Sequence, residues 1–341
     1  MSIYTLLGIC AATAFIIGVV LYKIFIPLLR KVKLGQKILE IGPSWHKSKE
    51  GTPNLGGVIF IFAMAVALIL GLLILKLVFE VNNEANHKMF VATLIFVLFA
   101  LSQGVIGFVD DYVKLFKKRN KGLSATQKLV LQFASAGAFL FSRAYFLESD
   151  TAVTTPWGDL ELGIFYYVIM LIAIVYIINC ANLTDGIDGL AGSVAFIVCV
   201  MLLFYGIDLV RSTSNIYGEY FAVAVASLIG ALLAFLVFNF HPAKIFMGDT
   251  GSLFLGGFIV GAIMFSNNEF VLIPISCIWI IEGLSVVLQV FSFKVFGKRI
   301  FKMSPIHHHF EKCGWSEVKI VAVFSLITVI FSVISYYIMC F

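Results

Sequence analysis

The residues with chemistry to offer are carboxylates, lysines and histidines set in an otherwise apolar chain. Asn179 to Gly192 reads N-C-A-N-L-T-D-G-I-D-G-L-A-G and lies between the apolar runs Leu162–Ile178 and Leu190–Phe204. Asn182, Asp185 and Asp188 follow one another at intervals of three, so a continuous helix would keep them near one face and aim them at a common point. A turn alone needs a Gly and one Asx, not three spaced polar groups. Ionisable residues at membrane depth are costly and mark functional sites. Asp110 and Asp111 are adjacent in G-F-V-D-D-Y at the end of another apolar run. Neighbouring carboxylates repel, so the pair binds a cation or keeps a proton, and a helix C-terminus disfavours negative charge. Asp249, in F-N-F-H-P-A-K-I-F-M-G-D-T-G-S, opens a further helix, where a carboxylate caps or binds metal.

The basic groups fit an anionic substrate. Lys49, in H-K-S-K-E-G-T-P-N-L-G-G, precedes a Gly-rich helix start, where N–H groups and the helix dipole favour phosphate. Lys128 stands at the start of another apolar run. Three adjacent histidines, His307, His308 and His309, fan over about 200° on a helix. A zinc site made by them alone is therefore not expected, whereas imidazoles that donate to an anion or exchange protons are. Carboxylates without thiolates suit Mg²⁺, which keeps water and substrate phosphates among its ligands. Phosphoryl transfer asks mainly for positioning and charge neutralisation. These residues describe a Mg²⁺-dependent transferase that joins a water-soluble phosphorylated donor to a lipid phosphate.

The elements that must position them are membrane spans. Of 341 residues, 61% are hydrophobic and 13% charged, a balance that excludes a soluble globular protein. The fold expected is an all-α polytopic membrane domain covering 1–341, with about ten spans at 3–28, 56–79, 89–109, 127–147, 162–180, 188–207, 219–238, 251–266, 271–293 and 317–340. The first run is too long for a signal peptide and is read as a retained span. Nineteen of the 24 Lys and Arg fall in the odd-numbered connections. By the positive-inside rule those connections are cytoplasmic and both termini lie outside. Every polar cluster named above then falls at the cytoplasmic face. Thr151–Glu161 suggests a short outer β-hairpin, and the lysines of 294–303 suggest either an amphipathic helix in the cytoplasmic interface or an ordinary basic loop that follows the positive-inside rule. The six cysteines read as small packing residues. An ion-coupled transporter would carry acids near mid-membrane and show internal symmetry; neither is seen, and no nucleic-acid partner is expected.

F-V-D-D-Y, N-L-T-D-G-I-D-G-L-A, F-N-F-H-P-A-K-I-F-M-G-D-T-G-S, L-S-V-V-L-Q-V and P-I-H-H-H-F-E, in this order, resemble the bacterial phospho-N-acetylmuramoyl-pentapeptide transferases, the MraY translocase family. These form a branch of the polyprenyl-phosphate N-acetylhexosamine-1-phosphate transferases. The resemblance runs from His46 to about Trp315. It implies that undecaprenyl phosphate attacks the β-phosphate of UDP-N-acetylmuramoyl-pentapeptide, giving lipid I and UMP in peptidoglycan biosynthesis. It also implies Mg²⁺ dependence, a homodimer and the bacterial cytoplasmic membrane. A UDP-N-acetylglucosamine transferase is the alternative within the superfamily. Carried over residue by residue, the resemblance makes Asp249 the Mg²⁺ ligand and sets Asp110 and Asp111 beside the lipid phosphate. Asp110 would deprotonate that phosphate in a one-step route; a two-step route with an Asp nucleophile is the alternative. Asn182, Asp185, Asp188 and Asn239 would line the nucleotide and diphosphate site, Gly186 and Ile187 would lie beside uridine, and Phe246 would stack on uracil. Lys49, Lys128 and His307 would contact phosphates, with His308 and His309 in the substrate-binding loop. One departure stands out: G-T-P-N-L-G-G, with Asn54 and Leu55, replaces the family's usual G-T-P-T-M-G-G.

Overall fold

In a computed structural model the described residues are 1–31, 49, 51–78, 84–116, 122–212 and 217–340. His46 and the basic run 117–121, both singled out in the sequence, lie outside them. The first eight helices are α1 (Ile3–Lys31), α2 (Gly56–Val78), α3 (Glu84–Phe116), α4 (Ala125–Leu147), α5 (Phe165–Thr184), α6 (Leu190–Ser212), α7 (Tyr217–Asn239) and α8 (Gly248–Phe265). They are followed by α9 (Leu272–Ile275), α10 (Cys277–Phe296), α11 (Ile306–Lys312) and α12 (Glu317–Cys340). Ten of the twelve are long and apolar enough to cross a membrane, in agreement with the ten runs of the sequence. The span expected over 271–293 is divided at Ser276, two residues after Pro274, into α9 and α10.

The chain is arranged around α8. Every residue from Thr250 to Met264 is buried, and a helix that is apolar all round belongs at the centre of a bundle. It packs against α3, α5 and α2, while α7 is held between α1, α6 and α2. Outward-facing side chains such as Ile16, Ile69, Leu98 and Phe204 are exposed, as a lipid-facing surface requires.

β1 (Ala152–Thr155) and β2 (Gly158–Glu161) pair antiparallel with Thr155 opposite Gly158, which is the hairpin read from the sequence. It leans on the 3-10 turn Glu269–Val271, where the Trp157 ring stands edge-on to Phe270 at 5.6 Å. At the same end, the buried Arg143 of α4 donates to Tyr166 and Glu269 at 2.8 and 3.0 Å and ties α4 to α5 and to this turn.

The amphipathic helix expected over 294–303 does not form. Gly297, at φ 66°, ends α10, and residues 297–305 are bends and irregular backbone. Gln289 holds this segment in place: its side-chain oxygen accepts from the Ile300 and Phe301 N–H groups at 3.0 Å each, and its amide donates to the Phe301 carbonyl at 2.9 Å. Local capping of an irregular loop wins over the basic periodicity. The six cysteines are free thiols; Cys10, Cys180 and Cys199 are buried, in keeping with a packing role, whereas Cys313 and Cys340 are exposed.

Candidate active site

The ends of α3, α4, α5 and α8 meet at Asp249. α3 runs past Asp110 and Asp111 to Phe116, so the two acids stand inside a helix rather than at its exit. Gly107 allows the approach, because a Cβ there would strike the Asp249 carbonyl. Asp111 turns toward the N-terminus of α8 and accepts from the N–H groups of Asp249 and Thr250 at 3.2 and 2.9 Å and from the Thr250 hydroxyl at 2.7 Å. Helix N-termini leave N–H groups without internal partners, and here a carboxylate from a neighbouring helix satisfies them. Asp110 accepts from the Leu123 N–H at 2.7 Å and pairs with Lys114, one turn further along α3, at 2.5 Å.

Asp249 is ringed by donors. Asn182 donates to Oδ1 at 2.9 Å and also reaches the Ser252 hydroxyl at 2.8 Å. Lys114 and Lys128 reach Oδ2 at 2.9 and 3.1 Å. Lys128 is brought there by α4, whose first turn is closed by Ser124 and Gln127 in a reciprocal capping box. One oxygen each from Asp110, Asp111 and Asp249 lies within 4.8 Å of the others. An all-carboxylate donor set of this kind suits a hard divalent cation. The two ammonium groups on Asp249 already compensate the negative charge that such a cation would balance.

Asp188 does not join this centre. α5 ends at Thr184, Asp185 is its C-cap and residues 185–189 form turns, so the expected common direction of Asn182, Asp185 and Asp188 is broken at the cap. Asn182 faces Asp249. Asp188 swings away to accept from Lys49 at 2.7 Å, the Ala243 N–H at 2.9 Å and His241 Nδ1 at 3.1 Å. Glu317, the first residue of α12, completes this second group by accepting from Lys49 at 2.7 Å and from the Asp188 N–H at 2.9 Å. Asn239 is buried between the two segments, accepting from the Gly189 N–H at 3.0 Å and donating to the Ile245 carbonyl at 2.9 Å. Asp185 lies between the two groups. Burial pushes its carboxyl up to about 8, helped by the charges of Asp249, Asp111 and Asp188 and opposed by Lys49.

The three histidines part ways as their spacing requires. His307 is wholly buried, with Nδ1 at 3.0 Å from Glu282 of α10 and its ring against Gly186. His308 pairs with Glu311 at 2.5 Å. His309 is taken up by its own loop, where Nδ1 accepts from the Lys302 N–H at 3.1 Å. Ile187 is buried beside Gly186. Phe246 is partly buried and is fixed through its backbone, its N–H bonding to Pro53 and its carbonyl to Gly56 at 2.9 and 2.8 Å. That pairing lays the G-T-P-N-L-G-G segment along the entrance to α8. There the Asn54 side chain accepts from the Leu55 N–H at 3.0 Å and stands against Gly248.

The sequence reading assigned no role to Lys114, His241, Glu282 or Glu317. Lys114 had a usable signal, standing four residues after Asp110 on one helix. Glu282, a lone carboxylate in an apolar span, also had one. Glu317 had none, since an acid in a first helical turn is ordinary.

The chain is similar to known proteins along nearly its whole length. The family model for glycosyl transferase family 4 matches residues 93–267. The phospho-N-acetylmuramoyl-pentapeptide-transferase of Clostridium perfringens (strain 13 / Type A) is 44% identical over 95% of each chain. That of Clostridioides difficile (strain 630) is 42% identical, again over 95% of both, and that of Bacillus anthracis 41% identical over 97% of both. The chain belongs to the phospho-N-acetylmuramoyl-pentapeptide-transferase family. In this member of the family the matched region spans α3 to α8 and so carries Asp110, Asp111, Asn182 and Asp249 together. Lys49, Glu282, His307 and Glu317 lie outside it and come within the full-length likeness to the named transferases.

Proposed function

We infer that this chain transfers phospho-N-acetylmuramoyl-pentapeptide from its UDP-linked donor to undecaprenyl phosphate, giving lipid I and UMP in peptidoglycan biosynthesis. The observation that carries the reading is 41–45% identity along nearly the whole chain to transferases of that name. Ten spans and an acidic centre at one end of them fit an enzyme that meets one reactant in the lipid and the other in water.

Asp249 would hold Mg²⁺, with Asp110 and Asp111 next to it on the side of the lipid phosphate. When bound, the ion supplies positive charge opposite the donor diphosphate and the departing UMP. The chain's own residues do the rest. Lys114 and Lys128, now on Asp249, are released toward phosphate oxygens as the donor enters. Asp110 takes the proton of the lipid phosphate, whose oxygen then forms the new bond to the β-phosphorus as the bond to the UMP oxygen breaks. Asp111 keeps the start of α8 in place by its three hydrogen bonds. Asn182 orients Asp249. Lys49, Asp188 and Glu317 shape the nucleotide end, with Gly186, Ile187 and Phe246 beside the base, and His307 addresses the phosphates from the far side of the Asp185–Asp188 turn.

The site faces the cytoplasm, both termini lie outside, and the enzyme works as a homodimer in the bacterial cytoplasmic membrane. The charge asymmetry of the connections supports the orientation. The deciding assay uses purified protein in detergent with Mg²⁺ and undecaprenyl phosphate and follows UMP release. Release from UDP-N-acetylmuramoyl-pentapeptide but not from UDP-N-acetylglucosamine is expected; the reverse would overturn the substrate assignment.

A further inference from the structure

Glu282 sits in a membrane-spanning helix, and neither it nor His307 has any exposed surface. Its carboxylate has two hydrogen-bond partners among the described residues, and both belong to one residue. His307 Nδ1 lies 3.0 Å from Oε1, and the His307 backbone N–H approaches Oε2 at 3.5 Å. With the carboxylate ionised, and so an acceptor only, Nδ1 is the nitrogen that carries the proton. The ring is thereby fixed in orientation and its other nitrogen is singled out. Nε2 is buried without a hydrogen-bond partner. It bears on Gly186, where any Cβ would collide with it. Gly186 belongs to the turn between Asp185 and Asp188, the segment that separates the two polar groups of the site. A buried carboxylate in a span is costly unless paired, and an unsatisfied imidazole nitrogen is a second cost at the same place. Both fall on a single axis, running from Glu282 through the imidazole to the turn.

We propose that Glu282 is a positioning residue for the transfer. It holds His307 with Nδ1–H bonded and Nε2 directed at the Asp185–Asp188 turn, so that the imidazole meets the nucleotide diphosphate when donor binding lifts the turn from the ring. The assignment of the diphosphate rests on the function proposed above; the orientation of the imidazole does not. A carboxylate that orients a histidine in this way acts only through it.

The test is a double-variant cycle combined with NMR of ¹⁵N-histidine-labelled protein in detergent. Glu282→Gln keeps an acceptor for Nδ1–H but removes the charge, whereas Glu282→Leu removes both. Expected losses in kcat are about tenfold and about 100-fold, the range seen when the partner that orients a functional histidine is changed. In a His307→Ala background neither substitution should cost more than about twofold, because residues acting as one unit are not additive. Losses that multiply in that background would overturn the proposal. The His307 ¹⁵N signals, assigned by their disappearance in His307→Ala, should report Nδ1–H in the parent protein and change in Glu282→Leu. Signals unchanged by Glu282→Leu would also overturn it, even where His307→Ala leaves no turnover to measure. Glu282→Gln provides the conservative variant should Glu282→Leu fail to fold. Parent protein that holds this imidazole pattern yet does not turn over the muramoyl donor would instead refute the function and leave the positioning intact.

Discussion

Asp111 on α3 and Thr250 on α8 are joined twice, through the Thr250 N–H at 2.9 Å and its hydroxyl at 2.7 Å. The pair is buried and fixes the start of the helix that carries Asp249. Asp111→Ala strands these donors and the Asp249 N–H, at a cost of about 1–3 kcal/mol. It should lower the thermal midpoint in detergent as well as turnover. Thr250→Val removes a single donor and should cost about 1 kcal/mol while keeping most activity. An unchanged midpoint in Asp111→Ala would deny it the anchoring role.

Asp249→Ala should behave in the opposite way. Its side chain is the focus of Asn182, Lys114 and Lys128 but, unlike that of Asp111, accepts from no backbone N–H of a helix start. Turnover should fall on the order of 10³-fold or more, with circular dichroism and thermal midpoint near those of the parent. Near-normal turnover with Mg²⁺ present would remove Asp249 from the proposed ligand set.

Chelation by EDTA should stop UMP release, and added Mg²⁺ should restore it, since the donor set is made only of carboxylate oxygens. Turnover that persists after exhaustive chelation would exclude the metal-dependent route.

Glu317 holds Lys49 and the Asp188 N–H together and lies in the group separate from Asp249. Glu317→Gln should raise KM for the nucleotide donor about tenfold, the worth of one charge-assisted hydrogen bond, and leave kcat less affected. A loss confined to kcat would place Glu317 in the reacting centre instead.

The Asp185 carboxyl, raised from 3.8 to about 8 by burial and by the acids around it, makes stability depend on pH. Between those values the folded chain holds a proton that the unfolded chain has released, so stability falls as pH rises through the window and levels off above about 8. In divalent-free buffer the thermal midpoint should therefore decline from pH 6 to pH 8, and Asp185→Asn should flatten the decline. An equal decline in Asp185→Asn would assign the effect to another group.

The ten spans were legible because apolar length is a coarse property that tertiary packing does not rearrange. The acids at Asp110, Asp111 and Asp249 were legible because charge at a membrane boundary is costly and stands out. The direction of Asp188 was not. Periodicity put it on the face of Asn182, but α5 stops at Asp185, and a cap is a local backbone event that the spacing of polar residues does not encode. The basic stripe of 294–303 misled for a similar reason: Gly297 and the three hydrogen bonds of Gln289 outweigh its helical periodicity. Glu317 was hidden by its ordinariness, since its partner lies 268 residues earlier in the chain.

That separation has a bearing on biogenesis. A nascent chain whose ninth span has just entered the bilayer already contains Asp110, Asp111 and Asp249, but Lys49 and Asp188, paired with each other at 2.7 Å, still lack Glu317, the carboxylate that accepts from both. That second polar group is completed only when the last helix is inserted, so a ribosome that stalls before residue 317 leaves in the membrane a protein with its acidic centre present and this group one carboxylate short.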